Sequence, residues 1–482
     1  MQDDVSILIC ESLICEEICQ YGTIIVVFVN NVSNRRNEMD YITEYRNKLR
    51  KPEEAVKVVK SGDWIDYLTN VAFPELLDAA LAERAEELTD VKIRGNLIMQ
   101  PIQTVEKDPA REHFIYNSWH CSAYERSLCD RGLCNYIPMI FRNLVPYYRH
   151  FLNVNVAMCA AAPMDRHGYF NLSAASGVAK GILDDADVVI LEINERLPKV
   201  CGGYGQIIHI SEVDMIVEGP HSPLPTVPMH PAAEEDRAIA AEIMPLIPDG
   251  ATLQFGIGGM PNVLGSMLAD SDLKDLGMHT ELCSDAYVAL TEAGKLTNRA
   301  KTFMPGVGVT GMAFGTEKVY EFVNENPGVA FMPLELVNSP GIIGRIDNMI
   351  SINNCIAVDL FGQVSAESAG TRQISGTGGQ LDYLTGAAMS RGGKAFLCMT
   401  STYHDHEGKL HSRIVPTFQG DIVTDPRSQA YYMVTEYGMV NLVGRTTWER
   451  AEMLISIAHP DFREELIRKA EENKIWIRSN KR

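Results

Sequence analysis

The chain has 482 residues, of which 46% are hydrophobic and 22% are charged. This composition is ordinary for a globular protein, and the length suits two large domains or about three smaller ones. A formal net charge of −20 argues against general affinity for nucleic acid or an anionic membrane. No run approaches the roughly 18 apolar residues that a membrane-spanning helix needs. The 11 cysteines are scattered, without a CxxC pair or zinc-like spacing, so we expect a reducing, cytoplasmic environment.

The first 38 residues differ in pattern from residues 39–482. Their apolar run, "YGTIIVVFVNNV" (residues 21–32), is preceded by acidic residues where a signal peptide carries positive charge. An arginine pair stands shortly before Met39, and such a pair can be encoded by a bacterial ribosome-binding sequence. We therefore expect translation to begin at Met39 and residues 1–38 to be a non-native or disordered extension. The alternative is an amphipathic N-terminal element.

Proline divides the rest of the chain. "EGPHSPLPTVPMHP" (Glu218–Pro231) holds five prolines in 14 residues, and proline neither continues a helix nor donates to a sheet. We expect an N-terminal domain over residues 39–220, a linker over 221–231 and a C-terminal domain over 232–482.

The two halves have similar patterns. "SGDWIDYLTNVAFPELLDAAL" and "DGATLQFGIGGMPNVLGSML" align without a gap when Pro74 is placed on Pro261, and each predicts a strand, a loop and a helix. We interpret this as an internal duplication. Apolar runs such as "VNVAMCAAAP" and "ADVVILEIN" predict strands buried on both faces, and helical patterns alternate with them. The fold class predicted is therefore α/β, as two tandem related open domains.

Two glycine-rich stretches are candidate ligand-binding loops. In "QFGIGGMPN" (Gln254–Asn262), Gly256, Gly258 and Gly259 separate a strand from a helix, where backbone N–H groups converge on an anion or simply form a turn. In "ISGTGGQLDYLTGAAMSRGGK" (Ile374–Lys394), exposed N–H groups are suited to a carbonyl oxygen that becomes negative.

Other polar residues leave the chemistry open. "TYHDHEGKLHSR" contains His404, His406 and His411, but it lacks further ligands and predicts an exposed hairpin, so no metal site is expected. Cys283, near His279, is either an activated thiol or a buried hydrophobe. Glu281 in "HTELCSDA" and Glu367 in "VSAESAG" each suit a carboxylate nucleophile, and residue patterns alone do not choose between them.

The order of these motifs resembles a known family. "GIGGMPN", then "HTE", then "GQVSAESAG" and "ISGTGGQLDY" resemble the class I acyl-CoA transferases, in the acetyl-CoA hydrolase/transferase family. The similarity extends from Met39 to "SIAHPDFREELI" near the C-terminus. It implies a CoA-transferase fold with the active site between the two domains.

The resemblance also assigns roles to residues. It implies that Glu281 is the nucleophile and that Glu367 lies near the site without attacking. Residues implied to stabilise an oxyanion or form the site wall are Gly378, Gly379, Gln380 and Glu367. Residues implied to contact CoA are Gly256, Ile257, Gly258, Gly259, Met260, Ile356, Gly379 and His406. His406 departs from the family, which often has a lysine at that position, and Lys409 is the alternative for this contact.

The activity implied is CoA transfer between short-chain carboxylic acids through a glutamyl-CoA thioester, with butyryl-CoA and acetate as the leading pair. The alternatives are a 4-hydroxybutyrate CoA-transferase and an acetyl-CoA hydrolase. CoA is expected as a substrate, with no tightly bound cofactor and no metal. The expected ligands are acyl-CoA and short-chain carboxylates, with neither nucleic acid nor membrane as a partner. A cytoplasmic homo-oligomer is implied.

Overall fold

The computed structural model describes residues 41–227, 231–256 and 258–475. The predicted extension 1–38 and the predicted CoA contact Ile257 lie outside these ranges. Within them, every helix is too short or too polar to span a membrane.

The first half of the chain builds a seven-stranded sheet in which all neighbouring strands run parallel. Its strands, together with the small pair β6 and β8, are β1 (Trp64–Thr69), β2 (Val91–Asn96), β3 (Phe114–Ser118), β4 (Cys134–Tyr136), β5 (Val154–Ala161), β6 (Tyr169–Asn171), β7 (Ala186–Ile193), β8 (Ile207–His209) and β9 (Met215–Glu218). Its α-helices are α1 (Tyr41–Lys48), α2 (Pro52–Ala55), α3 (Glu75–Ala82), α4 (Gln103–Glu106), α5 (Ala123–Asp130), α6 (Phe141–Phe151) and α7 (Ser176–Leu183).

The second half builds an eight-stranded sheet, parallel except for its last strand. The strands of this half are β10 (Thr252–Phe255), β11 (Gly277–Cys283), β12 (Gly308–Ala313), β13 (Val329–Phe331), β14 (Met349–Asn354), β15 (Ala357–Asp359), β16 (Val364–Ser365), β17 (Ser368–Ala369), β18 (Arg372–Gln373), β19 (Lys394–Cys398), β20 (Thr402–His404), β21 (Leu410–Ser412), β22 (Ile414–Val415), β23 (Tyr432–Thr435) and β24 (Gly438–Asn441). Its α-helices are α8 (Glu234–Ile243), α9 (Gly259–Ala269), α10 (Asp285–Glu292), α11 (Glu317–Val323), α12 (Leu334–Val337), α13 (Pro340–Ile343), α14 (Gln380–Met389), α15 (Thr447–Ser456) and α16 (Pro460–Glu472).

The two sheets share one strand order. The first is β4-β3-β2-β1-β5-β7-β9 and the second is β13-β12-β11-β10-β14-β19-β23, with β24 added at the edge. In each sheet the chain moves outward in one direction for four strands and then continues on the other side of the first strand. Pro74 directly precedes α3 and Pro261 lies in the first turn of α9, so each proline stands at the start of the first long helix after the first strand of its sheet. The repeated order agrees with the duplication inferred from the sequence.

The two halves also share a hydrophobic core. One cluster of buried side chains draws residues from both sheets, including Leu191 on β7 and Leu253 on β10. At this contact Gly177 of α7 approaches Gly311 of β12 so closely that a methyl group on Gly177 would lie 2.5 Å from the Gly311 carbonyl oxygen. Only glycine fits here without moving one half against the other.

We expect Gly177→Ala to destabilise the protein by about 1–3 kcal/mol, because overpacking a tight contact outweighs the helix propensity that alanine gains. The measurement is the unfolding midpoint in urea. Gly341→Ala in α13 is the matched control, since the nearest atom to its added methyl group is 3.7 Å away. A Gly177→Ala protein as stable as this control would contradict the tight contact.

Candidate active site

Glu281 lies near the carboxyl end of β11, beside the point at which the strand order of the second sheet changes direction. That point falls between β10 and β14, and in open α/β sheets ligands bind outside the carboxyl ends of strands at such a position. Gly256 follows β10, and Asn353 and Asn354 end β14. All three line the same cavity as Glu281.

The Glu281 carboxylate is held by few hydrogen bonds for a group largely removed from water. Asn338 Nδ2 donates to its Oε2 at 2.8 Å, and the backbone N–H of Gly379 donates to the same carboxylate. Burial raises the pKa of Glu281 to about 7, and the negative charge of Asp382 adds to this, while the two hydrogen bonds oppose it. Desolvation is the dominant effect, as expected of a reactive carboxylate.

A polar chain extends from this carboxylate into the first half of the protein. Asn338 Nδ2 also lies 3.3 Å from Asp382 Oδ2, and Asp382 is fully buried in the first turn of α14. Arg142, at the start of α6, forms an ion pair with Asp382 through its side chain and donates a backbone N–H at 3.2 Å. The orientation of Asn338 toward Glu281 thus depends on a cation from the other half.

The glycine loop 374–379 is clamped between the halves. The Gly378 carbonyl accepts from Phe141 N at 3.1 Å, and the Ser375 carbonyl accepts from Cys121 N at 3.2 Å. Gly378 has φ = +56°, a left-handed conformation that favours glycine. A methyl group on Gly379 would collide with the Glu281 carboxylate and with Asn338. Glycine at both positions lets the loop backbone lie directly against Glu281.

Glu367 is placed behind this loop. Glu367 is buried, and its Oε2 accepts from Tyr136 OH at 3.0 Å and from Thr377 Oγ1 at 2.8 Å. Its backbone carbonyl accepts from Ile374 N at 2.8 Å. Thr377 lines the cavity, whereas Glu367 does not. Glu367 therefore supports the wall from behind. Gly378, Gly379 and Gln380 line the cavity directly.

The open alternative of a Cys283 nucleophile finds no support in the geometry. Cys283 is fully buried, and burial raises the pKa of its thiol above the ordinary range. His279 Nε2 is paired with the Val337 carbonyl at 2.8 Å. Burial lowers the pKa of His279 to about 3, so the ring is neutral. Both residues are therefore buried parts of the protein interior.

The cavity at Glu281 has a volume of about 520 Å³ and walls from both halves. Leu97 and Met99 follow β2 of the first sheet, whereas Phe314 follows β12 of the second. Together with Val227 these residues form an apolar wall. The expected position of the active site between the two halves agrees with this arrangement.

His120 is a residue of this cavity that the sequence alone did not indicate. A methyl group on Gly378 would lie 3.2 Å from His120 Cε1 and 3.9 Å from Glu281 Oε1, so the imidazole and the carboxylate flank the same glycine. His120 Nδ1 is buried and has no hydrogen-bond partner within the described part of the chain. Burial lowers the pKa of His120 to about 4, which leaves a neutral ring with an unused polar atom beside Glu281.

Two further cavities continue from the first along the loop that follows β10. One is lined by Gly256, Gly258 and Gly259, and the other by Gly259, Met260 and Ile356. Except for Ile257, the predicted CoA loop and Ile356 therefore line one groove. The N-terminus of α9 lies here, and the first backbone N–H groups of a helix have no partner within the helix and attract an anion. Arg413, a second residue missed from the sequence, adds a cation to this groove.

His406 lies outside these three cavities. It is exposed in the turn of the hairpin formed by β20 and β21, as the sequence predicted for this segment. His411 in the same hairpin is paired with Asp405 at 2.7 Å. The hairpin leads directly into Arg413 of the groove. The basic contact with CoA assigned to His406 stays a prediction.

This fold and site define an α/β enzyme with a desolvated glutamate between two related sheets. A family model described as the acetyl-CoA hydrolase/transferase N-terminal domain matches residues 33–228, and the C-terminal domain of the same family matches residues 315–470. The chain is 48% identical to the butyryl-CoA:acetate CoA-transferase of Anaerostipes caccae, with 92% of this chain and 100% of that protein covered. It is 36% identical to the 4-hydroxybutyrate coenzyme A transferase of Clostridium kluyveri, with coverages of 89% and 98%.

A solved structure also matches the chain over most of its length. RipA from Yersinia pestis superposes with a TM-score of 0.82 at 35% identity, over 91% of this chain and 100% of that one. The chain belongs to the acetyl-CoA hydrolase/transferase family. This confirms the family predicted from the motifs and the α/β fold class.

The raised pKa of Glu281 gives a pH prediction. Turnover of acyl-CoA that depends on the Glu281 carboxylate should rise as pH increases through about 7, since only the ionised form of a carboxylate is nucleophilic. Asn338→Leu removes a donor to that carboxylate and should move the rising limb upward by about one pH unit, because a hydrogen bond to a charged group contributes roughly 1.5–3 kcal/mol. The measurement is kcat/KM against pH.

Asn143→Leu is the matched control, because Asn143 donates to Tyr147 at 3.2 Å and does not contact Glu281.

The pH dependence of protein stability is a second measurement of the same pKa. Because the pKa of Glu281 in the folded state lies above its ordinary value of 4.5, the free energy of unfolding should fall as pH rises from about 4.5 to about 7. Glu281→Gln should abolish this pH dependence. Two results would contradict the assignment. One is a wild-type profile of kcat/KM whose rising limb is centred near pH 4.5, and the other is a rising limb at the same pH in Asn338→Leu as in wild type.

Proposed function

We propose that this enzyme transfers CoA from butyryl-CoA to acetate, giving butyrate and acetyl-CoA, with Glu281 as the nucleophile. The observation that carries the proposal is the desolvated Glu281 carboxylate, in hydrogen-bond contact with a glycine-loop N–H, at a cavity lined by both halves. The identity of 48% to a butyryl-CoA:acetate CoA-transferase supports the choice of substrates.

The first step forms an anhydride. A Glu281 carboxylate oxygen attacks the thioester carbon of butyryl-CoA, the C–S bond breaks, and the CoA thiolate leaves. The product is a mixed anhydride of Glu281 and butyrate. No proton is transferred, because the nucleophile and the leaving group are both anions.

The second step moves CoA onto the enzyme. The thiolate attacks the glutamyl carbon of the anhydride, butyrate leaves, and a glutamyl-CoA thioester remains. Acetate then attacks this thioester and the same two steps run in reverse, so that acetyl-CoA leaves and Glu281 is restored. The reaction is ping-pong because butyrate departs before acetate reacts.

Each attack on a carbonyl carbon creates an oxyanion. The Gly379 N–H already donates to the Glu281 carboxylate, so it is positioned for the oxygen that becomes negative when the glutamyl carbon is attacked. Gly378 and Gln380 border the same space. Because the loop is held by backbone hydrogen bonds from the other half, its donors need little reorganisation during reaction.

CoA itself supplies binding energy away from the reacting carbon. In the proposal its pantetheine arm follows the groove beside Gly256, Gly258 and Gly259, and its phosphates meet the N-terminus of α9 and Arg413. Binding these distant parts holds the thioester against a weak nucleophile. No metal and no tightly bound cofactor is part of this mechanism.

Two alternatives differ from this proposal in acceptor or substrate. A hydrolase would use water to cleave the glutamyl-CoA thioester, and the desolvation of Glu281 disfavours this. A 4-hydroxybutyrate CoA-transferase would accommodate a hydroxyl group at the end of the acyl chain. The apolar wall of Leu97, Met99, Val227 and Phe314 favours an unsubstituted butyryl chain. A cytoplasmic location and a homo-oligomeric state, implied by the family resemblance, stay predictions.

Chemical trapping tests the role of Glu281. Incubation with butyryl-CoA followed by borohydride should reduce the glutamyl-CoA thioester to an alcohol, and peptide mapping should find this change at Glu281. Glu281→Gln should lower exchange by at least about 10³-fold, since the nucleophile is lost. Glu367→Gln is the matched control, and it should keep labelling at Glu281 because Glu367 lies behind the wall. Labelling at Glu367 would refute the assignment.

The same incubation separates the alternatives. Without a carboxylate acceptor, consumption of butyryl-CoA should stop after about one equivalent per site, as a ping-pong half-reaction requires. Steady turnover in water alone would identify a hydrolase. A kcat/KM for 4-hydroxybutyryl-CoA above that for butyryl-CoA would favour the second alternative.

His120 gives a further test, because we assign its unpaired Nδ1 to the carboxylate of the incoming acid. His120→Leu should raise the KM for acetate by about 10-fold, as expected when one hydrogen bond is lost, with a smaller effect on the KM for butyryl-CoA. His113→Leu is the control, since His113 Nδ1 is paired with the Leu88 carbonyl at 2.8 Å, away from the cavity. Equal KM values for acetate in both variants would remove His120 from acetate binding.

A further inference from the structure

Three cysteine thiols meet beside the cavity in the first half of the protein. Cys121, Cys129 and Cys134 have Sγ atoms that all lie within 4.8 Å of one another. The Sγ atoms of Cys121 and Cys129 are 3.8 Å apart. Cys121 and Cys134 are buried, whereas Cys129 is partly exposed. The mechanism proposed above uses none of these thiols.

Local backbone geometry brings the thiols together although their sequence spacing is irregular. Cys121 follows β3, Cys129 lies in the last turn of α5, and Cys134 begins β4. After α5 the chain reverses at Gly132, which has φ = +72°. Leu133 N then donates to the Leu128 carbonyl at 2.8 Å, so the helix ends in a tight cap that returns the chain to the sheet. Cys134 there pairs with Tyr116 of β3.

We propose that Cys121, Cys129 and Cys134 form a binding site for one thiophilic divalent cation of the zinc class. With metal–sulfur bonds of about 2.3 Å, tetrahedral coordination separates neighbouring sulfur atoms by about 3.8 Å. The separation of Cys121 and Cys129 already has this value, and the third thiol needs to move by no more than about an ångström. Binding deprotonates the three thiols, and a water molecule completes the fourth position.

The chemistry of the donors selects the ion. Three thiolates are soft ligands that prefer zinc or cadmium to magnesium or calcium, which take oxygen ligands. Cys121 lines the large cavity, so an ion can reach the site from solvent through that space. The site therefore has a consistent donor set, suitable separations and an access route.

The proposed ion would act on the glycine loop 374–379 through two contacts. Cys121 N donates to the Ser375 carbonyl, and Arg126 Nε of α5 donates to the Ile374 carbonyl at 2.7 Å. A cation that joins both ends of α5 to β4 would fix these donors. Its expected role is structural: it would hold in place the segment that precedes Gly378 and Gly379.

The test is titration of the metal-free, reduced, full-length protein with cadmium chloride. Cadmium bound to thiolates gives an ultraviolet charge-transfer absorption, and its increase should end at one equivalent per chain. Zinc chloride should displace the cadmium and bleach the band. Zinc should also raise the unfolding temperature, since an ion that binds only the folded state stabilises it.

Cys129→Ser and Cys134→Ser should each weaken cadmium binding by about 100-fold or more, because losing even an outer partner of a metal ligand costs about 10- to 100-fold. Cys201→Ser is the matched control, as Cys201 is a partly exposed free thiol elsewhere, and it should bind as wild type does. Circular dichroism checks that each variant folds. X-ray absorption of the zinc-loaded wild type should show a shell of three sulfur atoms.

Several results would overturn the site. One is the absence of a charge-transfer band in the wild type. Another is equal cadmium affinity in folded Cys129→Ser and wild type. A sulfur count below three would exclude the triad as the ligand set.

Discussion

The structure depends on keeping one carboxylate largely out of water while leaving it a few directed hydrogen-bond donors. Burial of a charged group is costly unless hydrogen bonds offset it. At Glu281 the offset is partial, with Asn338 and the Gly379 N–H as the donors, so the pKa rises. A fully solvated glutamate would be an ordinary surface residue, and a fully paired one would be inert.

Maintaining this intermediate state requires both halves of the chain. Asn338 is oriented by Asp382, which is neutralised by Arg142 from the first half. The loop that carries Gly379 is anchored from the same side by backbone hydrogen bonds. The two sheets have the same strand order, but only the second carries the proposed nucleophile, and the first supplies the groups that position it. The interface between the halves is thus part of the proposed active site.

Much of this architecture could be predicted from the sequence because its signals are local. Apolar runs indicated buried parallel strands, and glycines between strand and helix indicated the loops at Gly256 and Gly379. The choice of Glu281 over Glu367 was not local, since both stand among small residues. It came from the family resemblance, and the two glutamates differ physically in what faces them: Glu367 meets Tyr136 and Thr377, whereas Glu281 faces the cavity.

Arg142, Asn338 and His120 could not be predicted from the sequence because their partners are remote along the chain. Arg142 lies 240 residues from Asp382, and Asn338 lies 57 residues from Glu281. His120 looks like any histidine after a strand until Gly378 is placed beside it. The three cysteines lack a metal-binding spacing because a helix and a reversed turn, rather than a short knuckle, bring them together. Tertiary packing creates the contacts of Arg142, Asn338 and His120, whereas local backbone geometry brings the three cysteines together.

The raised pKa has a consequence for the direction of the proposed reaction. In the mixed anhydride the thiolate can attack either acyl carbon, and the better leaving group is the carboxylate with the lower pKa. An ordinary carboxylic acid has a pKa of about 4.3, whereas burial raises that of Glu281 to about 7. Butyrate regains water when it leaves the site, whereas the Glu281 carboxylate stays largely desolvated, so the equilibrium favours release of butyrate and formation of glutamyl-CoA over return to butyryl-CoA. The burial that weakens ionisation at Glu281 thus favours passage of CoA onto the enzyme.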